Sequence, residues 1–327
     1  MNCCHVNLTK SRIHTYLSHC RSVLLSGSKM QDSRPSGNKQ LRWDQLKQLN
    51  YAMTVDETTL TAIVRTNGLH YSDYDSKNSL PKPWQLMKLV ESARYMSHHW
   101  PMDDTGRTFR DYAELTADRL TFLVTSCFDI RMDLYDLSTP KCPLDVRVQG
   151  GFVGSSSLNS SATVITVDGK ELLRNINQVV SIDKNTRRPL PLPGWWKEKY
   201  QPHGRGFSAL KLDKYEKPSS LKPYKVQVAR SDIDSNNHTN WSVYVRFALD
   251  GLYHNVKHGL VKHFTCLEQR GLSRMELLYS GESFDDDMLN VFVWNDDDNI
   301  NRVKVHIEKN EVLLFQGSFE YFQEPFH

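Results

Sequence analysis

The sequence predicts an α+β protein in which one unit, a long buried helix wrapped by a curved antiparallel sheet, occurs twice. The polar segment 72–79 is repeated at 231–238 with five identical residues in eight, and each copy directly precedes an apolar helical pattern. Short β-branched or alternating segments follow each helix, as is typical of antiparallel strands. A long internal repeat is stronger evidence of architecture than any local pattern.

The first 40 residues differ in composition from the rest of the chain. Four lysine or arginine residues and no acidic residue occur before Asp32. This basic, acid-poor composition is typical of an organelle transit peptide. We therefore expect residues 1–40 to be a targeting segment for the mitochondrion or another organelle matrix. A disordered tail on a cytoplasmic protein is the alternative.

The first repeat is predicted to occupy residues 41–188. A β-branched strand at 59–65 precedes a helix at 83–96, where Pro83 suits the first turn and apolar residues follow helical spacing. The strand-like segments after this helix are 119–137, 145–153 and 162–182.

A linker and a second repeat with the same order of elements follow. The linker, 189–223, contains six prolines, and the second repeat covers 224–327. A strand at 224–229 leads to a helix at 241–252 that is apolar on most sides, and such a helix is buried by its surroundings. The later strands are 275–279, 289–294, 302–308 and 312–322. One buried helix wrapped by a curved antiparallel sheet, built twice, is a tandem (double) hotdog.

Composition excludes several classes of protein. The net charge of +3 does not indicate a nucleic-acid-binding protein. No run of 18 apolar residues occurs, so stable membrane insertion is not expected. Six cysteines occur without a Cys-x-x-Cys pair or a His/Cys cluster, and no phosphate-cradling glycine loop is present. We therefore expect neither a metal site nor a cofactor.

The segment 231–240 carries the candidate chemistry. Asp234, Asn236 and His238 occupy alternate positions, so their side chains point the same way in an extended or bulged segment. The helix that follows offers free N–H groups and a positive dipole end, which suit a carbonyl gaining negative charge. The same residue types also form turns and cap helices, which is the structural alternative.

The two copies of this segment differ where the chemistry is expected. At a shift of 159, Lys77 takes the place of Asn236 and Ser79 takes the place of His238. A role in turns and caps alone does not predict this difference. We therefore predict one catalytic half and one degenerate half.

Three segments resemble the acyl–acyl carrier protein thioesterases over roughly residues 42–327. Asp232–Asn240 is similar to that family's Asp-x-Asp-x-Asn-x-His-x-Asn signature. Val180–Pro189 is similar to the segment that ends its first hotdog, where Thr-Arg-Arg follows a strand. Leu277–Ser283 is similar to the strand that carries its glutamate.

When the family's motif residues are matched to this sequence position by position, the resemblance implies catalytic roles for Asp234, Asn236, His238 and Glu282. The sequence departs from the family in an insertion near 257–270, and Ser283 stands where a cysteine often follows the glutamate. On a rougher alignment of the two halves, Glu282 falls near Cys127.

The resemblance implies a thioester hydrolase of fatty acid biosynthesis that releases a free fatty acid from fatty acyl-[acyl carrier protein] or acyl-CoA. Water is the expected nucleophile, Glu282 or His238 takes its proton, and Asn236 with the helix N–H groups binds the oxyanion. Direct attack by a carboxylate is the alternative mechanism. The alternative functions are a noncatalytic acyl-binding double-hotdog protein and a hotdog enoyl hydratase or dehydratase.

The first half is expected to supply the acyl-binding tunnel, because a helix packed on a curved sheet leaves an elongated apolar crevice. The candidate lining residues are Leu86, Met87, Leu89 and Val90. Asn240 and Trp241 are candidates for substrate contact at the start of the second helix. The expected assembly is a monomer whose halves form a pseudo-dimer, or a homodimer.

Removal of residues 1–40 should leave the melting temperature and the specific activity nearly unchanged, because this segment lacks the periodicity of a core element. A fluorescent fusion of the truncated chain should lose organelle localisation. An unfolded truncated protein, or a full-length fusion spread evenly through the cytosol, would contradict the prediction.

Overall fold

The computed structural model describes residues 46–262, 264 and 269–324, which form one antiparallel sheet with two long helices. The strands are β1 (Ala52–Asp56), β2 (Thr61–Thr66), β3 (Arg119–Ile130), β4 (Leu144–Val153), β5 (Ser157–Thr166), β6 (Glu171–Asp183), β7 (Tyr224–Gln227), β8 (Leu272–Tyr279), β9 (Met288–Asn295), β10 (Arg302–Lys309) and β11 (Val312–Tyr321). The helices are α1 (Pro83–His99), α2 (Tyr112–Leu115), α3 (Gly194–Tyr200) and α4 (Trp241–Lys257). None of these helices has the length and hydrophobicity that a membrane span requires.

The sheet order is β1-β2-β4-β5-β6-β3-β8-β11-β10-β9-β7. Each half repeats one topology, with β2-β4-β5-β6-β3 in the first and β7-β9-β10-β11-β8 in the second. The two half-sheets join where β3 pairs with β8, and Cys127 lies opposite Glu276 at the centre of this pairing. The structure therefore has the α+β tandem hotdog architecture that the sequence predicts, with β1 as an edge strand that the sequence did not reveal.

The long helices supply much of the core. Both have 17 residues, which extends each one beyond its predicted end. Helix α1 buries Met87 and Val90 completely, and α4 buries Val245 and Ala248 in the same way. A single hydrophobic cluster contains buried residues of both helices and of the sheet, so the two halves are packed as one body.

The loops before the two long helices make equivalent hydrogen bonds but differ in length by one residue. The Asp75 carboxylate accepts from the Lys77 N–H, and the Asp234 carboxylate accepts from the Asn236 N–H, at 2.8 and 2.7 Å. Lys77 is therefore the counterpart of Asn236, as the sequence alignment has it.

His238 has a different counterpart from the one predicted. The Asp234 N–H donates to the His238 carbonyl at 2.9 Å, and the Asp75 N–H donates to the Leu80 carbonyl at the same distance. Leu80, rather than Ser79, therefore corresponds to His238, because the first loop is one residue longer. From this point on, α1 and α4 are related by a shift of 158.

The counterpart of Glu282 also differs from the predicted one. Arg131 directly follows β3, and its backbone N–H donates to the carbonyl of Leu172 in β6. Ser280 directly follows β8, and its backbone N–H donates to the carbonyl of Leu314 in β11. With these two positions matched, Glu282 corresponds to Asp133. The alignment of Glu282 with Cys127 is wrong, since Cys127 lies inside β3.

The segment 189–223 packs along both halves. The buried Trp196 of α3 donates from its indole nitrogen to the Arg110 carbonyl at 2.8 Å. Further along, the Tyr215 hydroxyl donates to the Gly317 carbonyl at 2.7 Å. The connection therefore lies against the first half at one end and against β11 at the other.

The junction of the halves can be tested with a matched pair of phenylalanines. Phe128 of β3 is completely buried and its ring lies 6.3 Å from that of Trp241 at the start of α4, whereas Phe284 is 46% exposed. Phe128→Ala should lower the free energy of unfolding by about 3–5 kcal/mol, because it leaves a cavity at the junction. Phe284→Ala should lower it by less than about 1 kcal/mol. Equal losses in chemical denaturation would contradict this account of the junction.

Candidate active site

The segment before α4 is a tight loop that brings Asp234 and His238 together. An antiparallel bridge between Ile233 and Thr239 closes it, and Asn237 adopts a left-handed φ of 63°, a conformation that asparagine tolerates. The Asp234 Oδ1 atom lies 3.7 Å from Nδ1 of His238. The loop therefore places the Nδ1 edge of the imidazole next to a carboxylate.

Glu282 approaches the same imidazole from the other side. It follows β8, and its Oε1 atom lies 3.7 Å from Nε2 of His238. Arg187, from the end of the first half, donates to Glu282 Oε1 at 2.5 Å. His238 thus lies between two carboxylates at distances longer than a direct hydrogen bond, which is common for catalytic groups without substrate.

Asn236 is held through its backbone and lies at the edge of the site. Asp234 accepts from its backbone N–H, whereas its side chain is exposed and lies on the wall of the cavity described below. Asp234 therefore fixes the backbone of Asn236 and leaves the carboxamide available to a ligand.

Asn240 is the N-cap of α4 and does not line the cavity. Its side-chain oxygen accepts from the Ser242 N–H at 3.0 Å, and its side-chain nitrogen donates to Glu91 of α1 at 3.2 Å. Burial raises the pKa of Glu91. A carboxyl group of the degenerate half therefore orients the first turn of the other half's helix, next to Trp241, which does line the cavity.

Ser283 holds Glu282 in place. Its hydroxyl is buried and lies 2.8 Å from the Thr239 hydroxyl and 2.9 Å from the Tyr244 hydroxyl. The Thr239 N–H donates to the Ser283 carbonyl at 2.8 Å. These bonds tie the segment after β8 to the loop that carries His238, a role that the sequence did not indicate.

A cavity of about 340 Å³ opens from this group of residues and extends along α1. The second half contributes to its wall Asp234, Asn236, His238, Thr239, Trp241, Tyr244, Tyr279, Gly281 and Glu282. The first half contributes Glu91, Arg94, Tyr95, His98, His99, Tyr112, Leu120, Thr121, Phe122, Leu123, Asn177, Val179, Ile182 and Arg187. The cavity therefore combines the polar groups of the second half with walls from the first.

The predicted tunnel residues lie on another face of α1. Leu86, Met87, Leu89 and Val90 are buried in the hydrophobic core and do not line this cavity. Apolar spacing identifies the side of a helix that packs into the core, whereas the cavity lies along the side that carries Glu91, Arg94 and His98. The polar residues that interrupt the apolar pattern were the signal for the cavity face.

A second cavity, of about 40 Å³, lies at the equivalent place in the degenerate half. Asp75 lines it as Asp234 lines the larger one, but the aliphatic Leu80 stands where the catalytic half has His238. Tyr135 and Tyr321 also line this small space. Among the described residues, no cluster of His, Cys, Asp or Glu side chains is arranged to hold a metal ion.

No protein-family model matches this sequence, and no curated protein matches it in a sequence comparison. Solved structures do match it. An acyl-ACP thioesterase from Bacteroides thetaiotaomicron aligns with a TM-score of 0.58 at 19% identity, over 82% of this chain and 100% of the other. A 12:0-ACP thioesterase from Umbellularia californica aligns with a TM-score of 0.60 at 14% identity, over 80% of this chain and 94% of the other. At these identities the likeness concerns the fold, and the chain has the tandem hotdog fold of these thioesterase structures.

Proposed function

We propose that the protein hydrolyses the thioester bond of a fatty acyl group carried on acyl carrier protein or on CoA. The observation that carries this proposal is the position of His238. Its two ring nitrogens each lie 3.7 Å from a carboxylate, Asp234 on one side and Glu282 on the other. This arrangement stands beside the N-terminus of a buried helix and at one end of a cavity of about 340 Å³.

Water is the nucleophile in this mechanism, and the pair His238–Glu282 takes its proton. Asp234 faces Nδ1 of His238 and orients the ring, while Arg187 and the Ser283 hydrogen bonds hold Glu282. Attack on the thioester carbon gives a tetrahedral oxyanion. When the carbon–sulfur bond breaks, His238 returns the proton to the thiolate, so the products are a free acid and a thiol.

The oxyanion is stabilised by donors that are already in place. Asn236 presents its carboxamide to the cavity, and the positive end of the α4 dipole lies at the same wall, where Trp241 begins the helix. Preorganised donors of this kind stabilise charge that appears only in the transition state. Asn240 supports them indirectly, because it caps the helix and is itself held by Glu91.

The carrier follows from the location of the protein. If residues 1–40 direct it to an organelle matrix, acyl carrier protein is the substrate carrier that we propose, since organellar fatty acid synthesis uses it. Carrier proteins are acidic, and the exposed Arg188, next to the paired Arg187, gives the segment beside Glu282 a complementary charge. A cytoplasmic protein would favour acyl-CoA.

Thiol release from a panel of acyl-CoA and acyl–carrier-protein substrates tests this function directly. A thioesterase liberates the thiol, whereas a hydratase changes the unsaturation of the acyl group and leaves the thioester intact. A noncatalytic acyl-binding protein does neither. Absence of thiol release across the panel, with binding retained, would refute the proposed activity.

His238→Ala and Asn236→Ala should each lower kcat by at least ~10²-fold, the scale of losing a positioned base or an oxyanion donor. The matched substitutions in the degenerate half are Lys77→Ala and Leu80→Ala, and these should leave kcat within a few-fold. Steady-state kinetics of all four variants on one substrate makes the comparison. Equal damage in both halves would mean that the chemistry is shared and that one active site per chain is wrong.

Thiol alkylation should leave most of the activity intact, because the mechanism uses no cysteine. Cys127 is buried and burial raises its pKa to about 12, so it is a poor nucleophile. Cys142 is exposed and serves as the labelling control. Cys266 lies outside the described residues. Loss of activity in proportion to labelling of Cys127 or Cys266, with the fold intact, would contradict the mechanism.

A further inference from the structure

Helix α1 carries a polar stripe where its counterpart is apolar. Glu91, Arg94 and His98 are spaced so that they share one face of the helix, and all three line the large cavity. Their counterparts in α4, at the shift of 158, are Leu249, Leu252 and Val256. In the second half, aliphatic residues fill these positions within the same fold. The fold therefore does not require polar residues there, and those of the first half point to a ligand.

Arg94 is a buried cation without a carboxylate partner among the described residues. It is 8% exposed, and its guanidinium donates to the Ser160 hydroxyl, the Ser160 carbonyl and the Asn175 side chain, all of which are neutral. Burial lowers its pKa to about 9, so it keeps its charge at neutral pH. A buried charge is costly unless it is paired, and the cavity is the place from which a partner can come.

The surroundings of Arg94 add further positive potential. The ring of His98 stacks on Tyr112 at 4.1 Å, and its Nε2 atom has no hydrogen-bond partner among the described residues. Arg110 is a second buried guanidinium, 3% exposed, whose Nε and Nη2 atoms also lack partners there. Its charge and that of Arg94 both act on His98. The wall at this end therefore holds the positive charge of Arg94 and the unpartnered Nε2 atom of His98, while Arg110 adds its charge from outside the wall.

The opposite end of the cavity is acidic. Asp234 and Glu282 flank His238, and Glu91 lies against the start of α4. Glu91 and Arg94 are one turn apart on α1, roughly 4.5 Å along the helix axis, and His98 lies about one turn beyond Arg94. The wall between the two ends includes Leu120, Phe122, Leu123 and Val179.

We propose, on the basis of the proposed function, that the preferred acyl group carries a carboxylate at its far end. The thioester would lie at His238, the methylene chain against the apolar wall, and the terminal carboxylate against Arg94. Such a carboxylate supplies the counter-charge that the described residues do not, through charge-assisted hydrogen bonds. A plain hydrocarbon terminus would leave Arg94 desolvated and unpaired. The substrate class is therefore the monothioester of a dicarboxylic acid.

Two measurements test the proposal separately from the hydrolytic activity. The first is calorimetric binding of esters, in which the monomethyl ester of a dicarboxylic acid is compared with the methyl ester of the monocarboxylic acid of equal carbon number. The second is kcat/KM for the corresponding pair of CoA thioesters, with an ω-hydroxyacyl thioester as a neutral oxygen control. The dicarboxylic member should be favoured at least about tenfold in both, and the hydroxyacyl compound should fall between.

The variants Arg94→Met and Arg94→Lys assign the preference to this residue. Arg94→Met should abolish or reverse it, and Arg94→Lys should retain part of it because the charge remains. A wild-type protein that shows no preference for the dicarboxylic member, or favours the monocarboxylic one, would overturn the proposal, as would an Arg94→Met variant that loses the same factor on every acyl group. If Arg94→Met does not fold, the wild-type and Arg94→Lys preferences decide. Selective binding of the dicarboxylic compound without hydrolysis of any thioester would refute the proposed function but would support this binding site.

Discussion

The pairing of β3 with β8 is the constraint on which the rest of the structure depends. It joins two half-sheets into one and sets Cys127 opposite Glu276, its counterpart at the centre of the pairing. Strand β3 has 12 residues and β8 has 8, and only part of β3 is paired with β8. Residues 120–123 of β3 pair with β6 but not with β8, and they form part of the wall of the large cavity. The difference in strand length is therefore one physical source of the difference between the two cavities.

The two halves contribute different parts of the candidate site. The second half provides the loop in which His238 faces Asp234. The equivalent loop of the first half is one residue longer and has Leu80 at that position. The first half provides Arg187, which holds Glu282, and Glu91, which holds the cap of α4. Neither half contains the whole site, so the active-site geometry depends on the packing of one half against the other.

Local patterns in the sequence revealed the architecture and the loop before α4, because turns, helix starts and strand alternation are encoded by neighbouring residues. The loop of Asp234 and His238 is such a local feature. Glu282 came from a family resemblance, and its position 3.7 Å from His238 depends on the hydrogen bonds of Ser283, which no local pattern shows. The cavity wall could not be predicted, because the face of α1 that borders it is decided by the packing of both halves.

The charge distribution along the cavity links binding to turnover. The proposed hydrolysis converts a neutral thioester into a carboxylate, and this new charge would appear beside Asp234, Glu282 and Glu91. Repulsion between like charges weakens the binding of the product at the end where it forms. The proposed contact between Arg94 and the far carboxylate is unchanged by this reaction. The polarity of the cavity, acidic at the chemical end and basic at the distal end, therefore favours a substrate that is held by its terminus and released from the site of cleavage.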